Sequence, residues 1–216
     1  MKTGIIFDLD GTLLDTLEDL YLAVNHTLTQ YGCPERTRQE VRRFVGNGAR
    51  NLVSRALPGK ETDPPLETVL AFYQDYYDQL CIRGNTCPFP GISEMLEKLT
   101  KEYPVAVVSN KPDISVKPLC EKFFPGLYAL GATEDCPRKP QPDMVKKAMK
   151  ALGVDRCIYV GDSEVDVITA KNAGCLCLTV LWGFRDREEL EKTGATHFCE
   201  KVEDMIPMLS KLLRQN

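Results

Sequence analysis

Short runs of apolar residues, rich in branched side chains, alternate with helical patterns along most of this chain, and this alternation restricts the fold more than any other feature. Four such runs occur, at residues 5–7, 105–108, 158–160 and 176–181. Each is short and, apart from Thr179 in the last run, apolar, as expected of a strand that is buried on both faces. Because strands that alternate with helices form parallel sheets, the sequence predicts an α/β fold with a doubly wound parallel sheet.

Helical patterns fill the intervals between these runs, for example at 93–101, 144–152 and 165–173, and Gly153 and Gly174 follow two of them as helix-ending residues. The interval 15–84 contains only amphipathic helical patterns and ends in a turn-rich segment. We therefore expect a core domain of residues 1–14 and 85–216 and an all-helical cap domain of residues 15–84. Periodicity leaves open whether this insert is a mobile lid or a cover for one sheet face.

Composition excludes several classes of protein. With 27 Lys+Arg against 31 Asp+Glu the formal charge is −4, so the chain as a whole has no attraction for polyanions, and 43% hydrophobic residues suffice for a core. No apolar stretch approaches the ~20 residues of a membrane span. The nine cysteines form no C-x-x-C pair, which favours reduced thiols. We expect a soluble cytoplasmic protein, monomeric or homodimeric, with neither nucleic acid nor membrane as partner.

Two aspartates follow the first apolar run, in the segment Phe7-Asp-Leu-Asp-Gly-Thr-Leu13. Residues two apart in an extended chain point the same way, so Asp8 and Asp10 place two carboxylates at the carboxyl end of a strand. Ligands of open α/β sheets bind at this edge. Because adjacent carboxylates repel, the pair predicts a site with a cation, a shared proton or a hydrogen-bond network. An acidic turn is the alternative, and the spacing disfavours a calcium loop.

A second acidic segment, Gly161-Asp-Ser-Glu-Val-Asp166, follows the third run. Ser163 and Asp166 fit a capping box for the next helix, which accounts for both residues without a site. Capping does not account for Asp162. If the two strand ends share one crevice, Asp162 and the first pair of aspartates supply the hard oxygen ligands that Mg²⁺ takes.

Two further features are suited to an anion. Ser109 and Asn110 end the second run ahead of a helix, where a hydroxyl, an amide and backbone N–H groups can hold a phosphate oxygen. Lys139 precedes two prolines, which fix the local backbone. Taken singly, a turn at Ser109 and a solvated Lys139 are the alternative interpretations.

These four elements together resemble the signature of the haloacid dehalogenase-like hydrolases. That signature is Asp-x-Asp-Gly-Thr after the first strand, a Ser or Thr after the second, a Lys, and Gly-Asp-x-x-x-Asp. This chain has them in that order, as residues 8–12, Ser109, Lys139 and residues 161–166. The helical insert resembles the cap of one branch of the family. The segments 45–49 and 88–91 are most similar to those of its phosphoglycolate phosphatase branch.

The resemblance implies hydrolysis of a small phosphate monoester through a covalent phosphate on Asp8. It implies that Mg²⁺ binds a carboxylate oxygen of Asp8, the backbone carbonyl of Asp10 and a carboxylate of Asp162. Asp10 then protonates the leaving oxygen and afterwards activates water. Asp166 is expected to have a supporting role around these residues.

The resemblance also implies that the phosphoryl group is held by Ser109, Asn110 and Lys139. The cap selects the substrate, and Asn47 and Arg50 are the expected contacts because they lie beside glycines that let the backbone approach a ligand. An arginine suits a small acidic metabolite such as phosphoglycolate, since its guanidinium matches a carboxylate.

Other activities of the family remain open at this point. Dehalogenases generally lack the second aspartate, so Asp10 argues against that chemistry. Phosphonate-cleaving relatives use a cap lysine, and the cap segment here contains only Lys60, beside Pro58-Gly59. Phosphomutases of the β-phosphoglucomutase type share all four motifs and are the main alternative. A catalytically silent regulatory protein is the other.

Overall fold

The computed structural model describes residues 2–59 and 64–214, so Lys60 lies outside the described residues. Its main sheet has six strands in the order β5-β4-β1-β6-β7-β8, and every neighbouring pair is parallel. The strands are β1 Thr3–Phe7, β4 Val105–Pro112, β5 Tyr128–Ala132, β6 Arg156–Gly161, β7 Leu176–Val180 and β8 Phe198–Cys199. Two further strands of two residues, β2 Leu14–Asp15 and β3 Cys87–Pro88, pair with each other. The predicted α/β fold with a parallel sheet is confirmed.

Helices lie between these strands along the chain, and a final helix follows the last strand, β8. They are α5 Ile92–Glu102, α6 Asp113–Phe123, α7 Asp143–Leu152, α8 Glu164–Ala173, α9 Arg187–Lys192 and α10 Met205–Leu213. Gly153 ends α7 and Gly174 ends α8, both in the left-handed conformation that glycine adopts without a Cβ penalty, as predicted. The sheet interior is apolar: Ile5, Ile6 and Phe7 of the central strand β1 are fully buried.

Several elements were not predicted from the sequence. The strand β5 contains a glycine and two alanines and has no continuous run of branched residues, so pairing with β4 rather than local propensity makes it a strand. The strand β8 has only two residues. In β4, Ser109 and Asn110 lie inside the strand, which continues to Pro112, and α6 begins at Asp113.

The chain divides into two compact units: among the described residues, one unit holds the segments up to Leu14 and from Pro88 onward, and the other holds Asp15–Cys87. The second unit is the helical insert, with α1 Leu17–Gln30, α2 Arg38–Phe44, α3 Ala49–Ala56 and α4 Leu66–Arg83. We propose that these units act as the core and cap domains.

Asp19 ties the beginning of the helical insert to its end. Its side chain is fully buried near the start of α1. One carboxylate oxygen accepts hydrogen bonds from the backbone and side-chain amides of Asn85, at 2.8 and 3.0 Å, and the other accepts from the backbone and hydroxyl of Thr86, at 2.7 and 2.6 Å. Burial acts to raise the pKa of Asp19, but the hydrogen bonds from Thr86 and Asn85 prevail and lower it.

Replacement of this carboxylate is expected to destabilise the protein. We expect Asp19→Asn to lower the free energy of unfolding by about 2–4 kcal/mol at pH 7, because buried donors lose charged acceptors. A carboxyl with a lowered folded-state pKa stabilises above its unfolded pKa, so the difference between variant and parent shrinks as the pH falls below about 4. Urea unfolding at pH 7 and 3.5 measures both, with the exposed Asp75→Asn as control. An equal difference at both pH values contradicts the role of the charge.

Candidate active site

The register of the sheet places both acidic segments at its carboxyl edge. Phe7, the last residue of β1, pairs with Val160 of β6, and the backbone N–H of Asp8 donates to the Val160 carbonyl at 2.8 Å. Asp8 and Asp162 therefore follow neighbouring parallel strands at the same edge. This is the place where open α/β sheets bind ligands, because the strand ends leave a crevice there.

Three buried carboxylates meet at this edge. Asp8, Asp162 and Asp166 each offer an oxygen atom, and these atoms lie within 4.8 Å of one another. Lys139 joins them: its Nζ lies 2.8 Å from Asp8 Oδ1 and 2.8 Å from Asp166 Oδ1, and its side chain is 2% exposed. Three ionised carboxylates and one ammonium leave this group with a formal charge of −2.

The buried charges shift each other's protonation. Burial raises the pKa of Asp8 well above its usual range, and repulsion from the Asp166 and Asp162 carboxylates raises it further. The same two causes, burial and Asp166, raise the pKa of Asp162 to about 7. For Lys139, burial acts to lower the pKa, but the Asp166 and Asp8 carboxylates outweigh burial and raise it. Lys139 is therefore charged, but its single positive charge does not neutralise the three carboxylates.

The position of Asp162 is fixed by two donors. The Thr12 hydroxyl donates to its Oδ1 at 3.0 Å, and the backbone N–H of Phe184 donates to its Oδ2 at 2.7 Å. Gly11 lies against the same carboxylate with φ +84°, and a Cβ there would come within 2.5 Å of Asp162 Oδ2. Only glycine fits at that position, because both the backbone conformation and the space exclude a side chain.

Asp166 has two functions in this arrangement. The backbone N–H and hydroxyl of Ser163 donate to its Oδ2, at 3.1 and 2.6 Å, and the two residues form the predicted capping box of α8. Its other oxygen accepts from Lys139 and, at 3.2 Å, from the Tyr159 hydroxyl. Asp166 thus links the helix cap to the lysine beside Asp8.

Asp10 is not one of the three clustered carboxylates and pairs with a different lysine. Its Oδ1 pairs with Lys111 Nζ at 2.9 Å, and both side chains are largely buried, at 13% and 6% exposed. Ser109 is buried beside them on β4, and its Oγ accepts a hydrogen bond from the Lys111 backbone N–H at 3.2 Å. The Asn110 side-chain amide donates to the Lys139 backbone carbonyl at 2.9 Å, which joins the end of β4 to the lysine loop.

The carboxylate group fits a hard divalent cation. Its donors are carboxylate oxygens, the ligands that such cations prefer, and its formal charge of −2 is the charge a divalent cation balances. The raised pKa values of Asp8 and Asp162 point the same way, since they reflect buried negative charge that is insufficiently neutralised. Asp8 and Asp162 are the predicted ligands in this group, and Asp166 is the third carboxylate within reach.

The predicted substrate contacts lie in the helical insert. Asn47 is half-buried in the loop that precedes α3, and Arg50 is exposed near the start of α3. The Arg50 guanidinium donates to Glu67 Oε1 from Nε at 3.1 Å and from Nη2 at 2.7 Å. Their role toward substrate stays a prediction.

Three residues of the site were not predicted: Lys111, Tyr159 and, as a hydrogen-bond donor to Asp162, Thr12. A signal existed for Lys111, because Ser109-Asn-Lys-Pro112 places a lysine directly after the proposed anion-binding residues. Tyr159 lies within an apolar run, so the sequence indicates only a buried core residue. The Phe184 N–H could not have been found, since backbone groups carry no sequence signal.

The structure thus combines a parallel α/β core with buried carboxylates at the carboxyl edge of the sheet. Residues 5–180 match the family model described as haloacid dehalogenase-like hydrolase. The chain belongs to this family. Over the residues that the structure describes, no helix is long and apolar enough to cross a membrane.

The chain is similar to proteins named phosphoglycolate phosphatase. It is 32% identical to phosphoglycolate phosphatase 1 of Pseudomonas aeruginosa over 94% of this chain and 78% of that protein. It is 35% identical to the phosphoglycolate phosphatase of Agrobacterium fabrum over 84% and 81%. A crystal structure from Lactobacillus delbrueckii subsp. bulgaricus, provisionally named phosphoglycolate phosphatase, matches with a TM-score of 0.88 and 37% identity over 95% of this chain and 97% of that one.

Proposed function

We propose that this protein is a magnesium-dependent phosphatase that hydrolyses a small phosphate monoester, phosphoglycolate, through an acyl phosphate on Asp8. The observation that carries the proposal is the contact of Asp8 Oδ1 with Lys139 Nζ at 2.8 Å, at the carboxyl end of the central strand. A carboxylate held there by a cation is poised to attack phosphorus without an activating base. The names of the relatives support phosphoglycolate as substrate.

In the proposed mechanism Asp8 attacks the phosphorus atom and forms an acyl phosphate as the ester oxygen leaves. Lys139 orients Asp8 and balances negative charge on the transferring group, and Ser109 and Asn110 hold its oxygens. Asp8, Asp162 and the Asp10 carbonyl would hold Mg²⁺, which would supply further positive charge for the phosphoryl transfer.

Asp10 is the proposed general acid and base. Its carboxyl group gives a proton to the leaving alkoxide, and the resulting carboxylate then takes a proton from the water that hydrolyses the acyl phosphate. The two steps release the alcohol and inorganic phosphate and regenerate Asp8. Asp10 lies two residues after the nucleophile, in the segment that follows β1, and in this proposal both residues act on the same phosphoryl group.

Phosphate release from a panel of monoesters tests the proposal. The panel contains phosphoglycolate, several hexose phosphates, nucleotides and pyrophosphate, each with Mg²⁺ and with chelator. We expect phosphoglycolate to lead in kcat/KM by about tenfold or more, which is about 1.4 kcal/mol of transition-state discrimination. Isomerisation of a hexose phosphate, with slow release from every monoester, establishes a phosphomutase instead. No turnover of any compound rejects an enzymatic function for the site.

We further expect Mg²⁺ to stabilise the protein through the carboxylate group. A ligand that binds only the folded state at 100 times its Kd stabilises by about 2.7 kcal/mol, so the melting temperature rises with added Mg²⁺ and falls with chelator. Asp162→Asn is expected to abolish most of this rise because it removes a proposed ligand. Asp155→Asn, an exposed aspartate after α7, is the control. An undiminished rise in Asp162→Asn places the ion elsewhere.

A further inference from the structure

Lys111 is a buried cation that the proposed mechanism does not use. It is the seventh of the eight residues of β4, and the side chain is 6% exposed. Its Nζ lies 2.9 Å from Asp10 Oδ1. Burial of an ammonium group is costly without a counter-charge, so its presence beside Asp10 requires either a structural or a ligand-binding explanation.

The two aspartates of the first motif contact two different lysines. Lys139 contacts Asp8, the proposed nucleophile, and Lys111 contacts Asp10, the proposed acid for the leaving oxygen. Lys139 therefore lies on the side of the phosphoryl group. Lys111 lies on the side of the leaving group, where the part of the substrate that differs between monoesters begins.

We propose that Lys111 binds a carboxylate of the substrate, so that the enzyme selects phosphate monoesters with a carboxylate one carbon from the ester oxygen. This inference rests on the proposed function, since it takes Asp10 as the residue at the leaving oxygen. A single methylene separates the ester oxygen from the carboxylate in phosphoglycolate, so the carboxylate stays close to whatever contacts that oxygen.

The ion pair with Asp10 is compatible with this role. An ammonium group has three N–H donors in a rotatable head, so a substrate carboxylate can join the pair as a further acceptor without displacing Asp10. The low exposure of Lys111 strengthens such a charged hydrogen bond, because little water competes for the ammonium.

Binding of two non-hydrolysable phosphonates tests the inference without turnover. In 3-phosphonopropionate a methylene replaces the ester oxygen of phosphoglycolate, and 3-phosphonopropionamide has the same shape without the carboxylate charge. Isothermal titration calorimetry with Mg²⁺ gives Kd for both. We expect the parent to bind the carboxylate about tenfold to hundredfold more tightly, as charged hydrogen bonds allow.

Variants separate a binding lysine from a structural one. In an Asp10→Asn background we expect Lys111→Met to remove the preference, so that both compounds bind equally, and Lys111→Arg to retain part of it. The readout is the ratio of the two Kd values, compared between Asp10→Asn and the double variant Asp10→Asn/Lys111→Met, because an Asp10 carboxylate without its lysine would by itself repel the charged compound. Lys101→Met, at an exposed ion pair on α5, is the control and keeps the parent ratio.

The outcomes separate this inference from the proposed function. Equal binding of both phosphonates by the parent, or an unchanged ratio when Lys111→Met is added to folded Asp10→Asn, overturns the inference even if phosphate release from phosphoglycolate is fast. A phosphatase that prefers a monoester other than phosphoglycolate overturns the proposed function. In that case a ratio that depends on Lys111 still supports a carboxylate-binding lysine, and equal binding rejects it.

Discussion

Asp8→Asn is expected to lower kcat for phosphate release by roughly 10⁴-fold or more, because the amide cannot form the acyl phosphate. Asparagine has the shape of aspartate, so the packing is kept, and the loss reports on the nucleophile together with the proposed metal ligand. The measurement is phosphate release with saturating phosphoglycolate and Mg²⁺. Asp135→Asn, with a side chain that is 77% exposed, is the matched control and keeps parent activity.

The same variant is expected to fold at least as stably as the metal-free parent. Burial and the Asp166 and Asp162 carboxylates raise the pKa of Asp8, and a raised folded-state pKa means that the ionised group costs stability at neutral pH. The neutral amide removes this cost, and Lys139 keeps Asp166 as counter-charge. Urea unfolding of the variant and the parent, both in the presence of a chelator, measures this difference in stability. Full activity in stably folded Asp8→Asn would falsify the covalent mechanism.

Lys139→Met is the second change with a large expected effect. Lys139 is buried, and its Nζ contacts Asp8, Asp166 and the Tyr159 hydroxyl, so removal of the ammonium leaves two carboxylates buried without a cation. Loss of one partner from a buried ion pair costs about 3–5 kcal/mol, and we expect that loss in the free energy of unfolding. We also expect kcat to fall roughly 10²-fold to 10³-fold, because positive charge near the phosphoryl group is lost.

A double variant distinguishes an unpaired charge from a packing defect. Lys139→Met with Asp166→Asn removes one of the uncompensated carboxylates, so we expect it to recover part of the lost stability, although activity stays low. Lys147→Met is the control, because its ion pair with Asp135 is exposed and 3.8 Å long and contributes less than about 1 kcal/mol. If the double variant is as unstable as the sum of the single variants, charge compensation is not the cause.

Local rules in the sequence were sufficient for much of the fold. The runs that became β1, β4, β6 and β7 are apolar apart from Thr179, and burial on both faces of the sheet requires apolar side chains. The glycines after α7 and α8 ended those helices as predicted. The strand β5 was missed because its Gly and Ala residues carry little propensity, and the neighbouring strand β4 supplies the hydrogen bonds that make it a strand.

The same distinction between local signals and long-range contacts applies to the candidate site. Asp8 and Asp10 stand two residues apart, so their sequence already indicates a shared strand end, and Asp162 follows a second strand for the same reason. The capping box between Ser163 and Asp166 is local and was also predicted. These features depend on neighbours within a few residues, which is the range over which backbone geometry links residues.

The sequence by itself determined the parallel α/β architecture, the helical insert and the residues that carry charge to the strand ends. Only the tertiary structure decided which charges meet. Lys111 pairs with Asp10 from 101 residues away, and the Phe184 N–H reaches Asp162 across 22 residues. Such contacts depend on the order and register of strands in the sheet. Periodicity describes the face of one element and contains no information about which element becomes its neighbour.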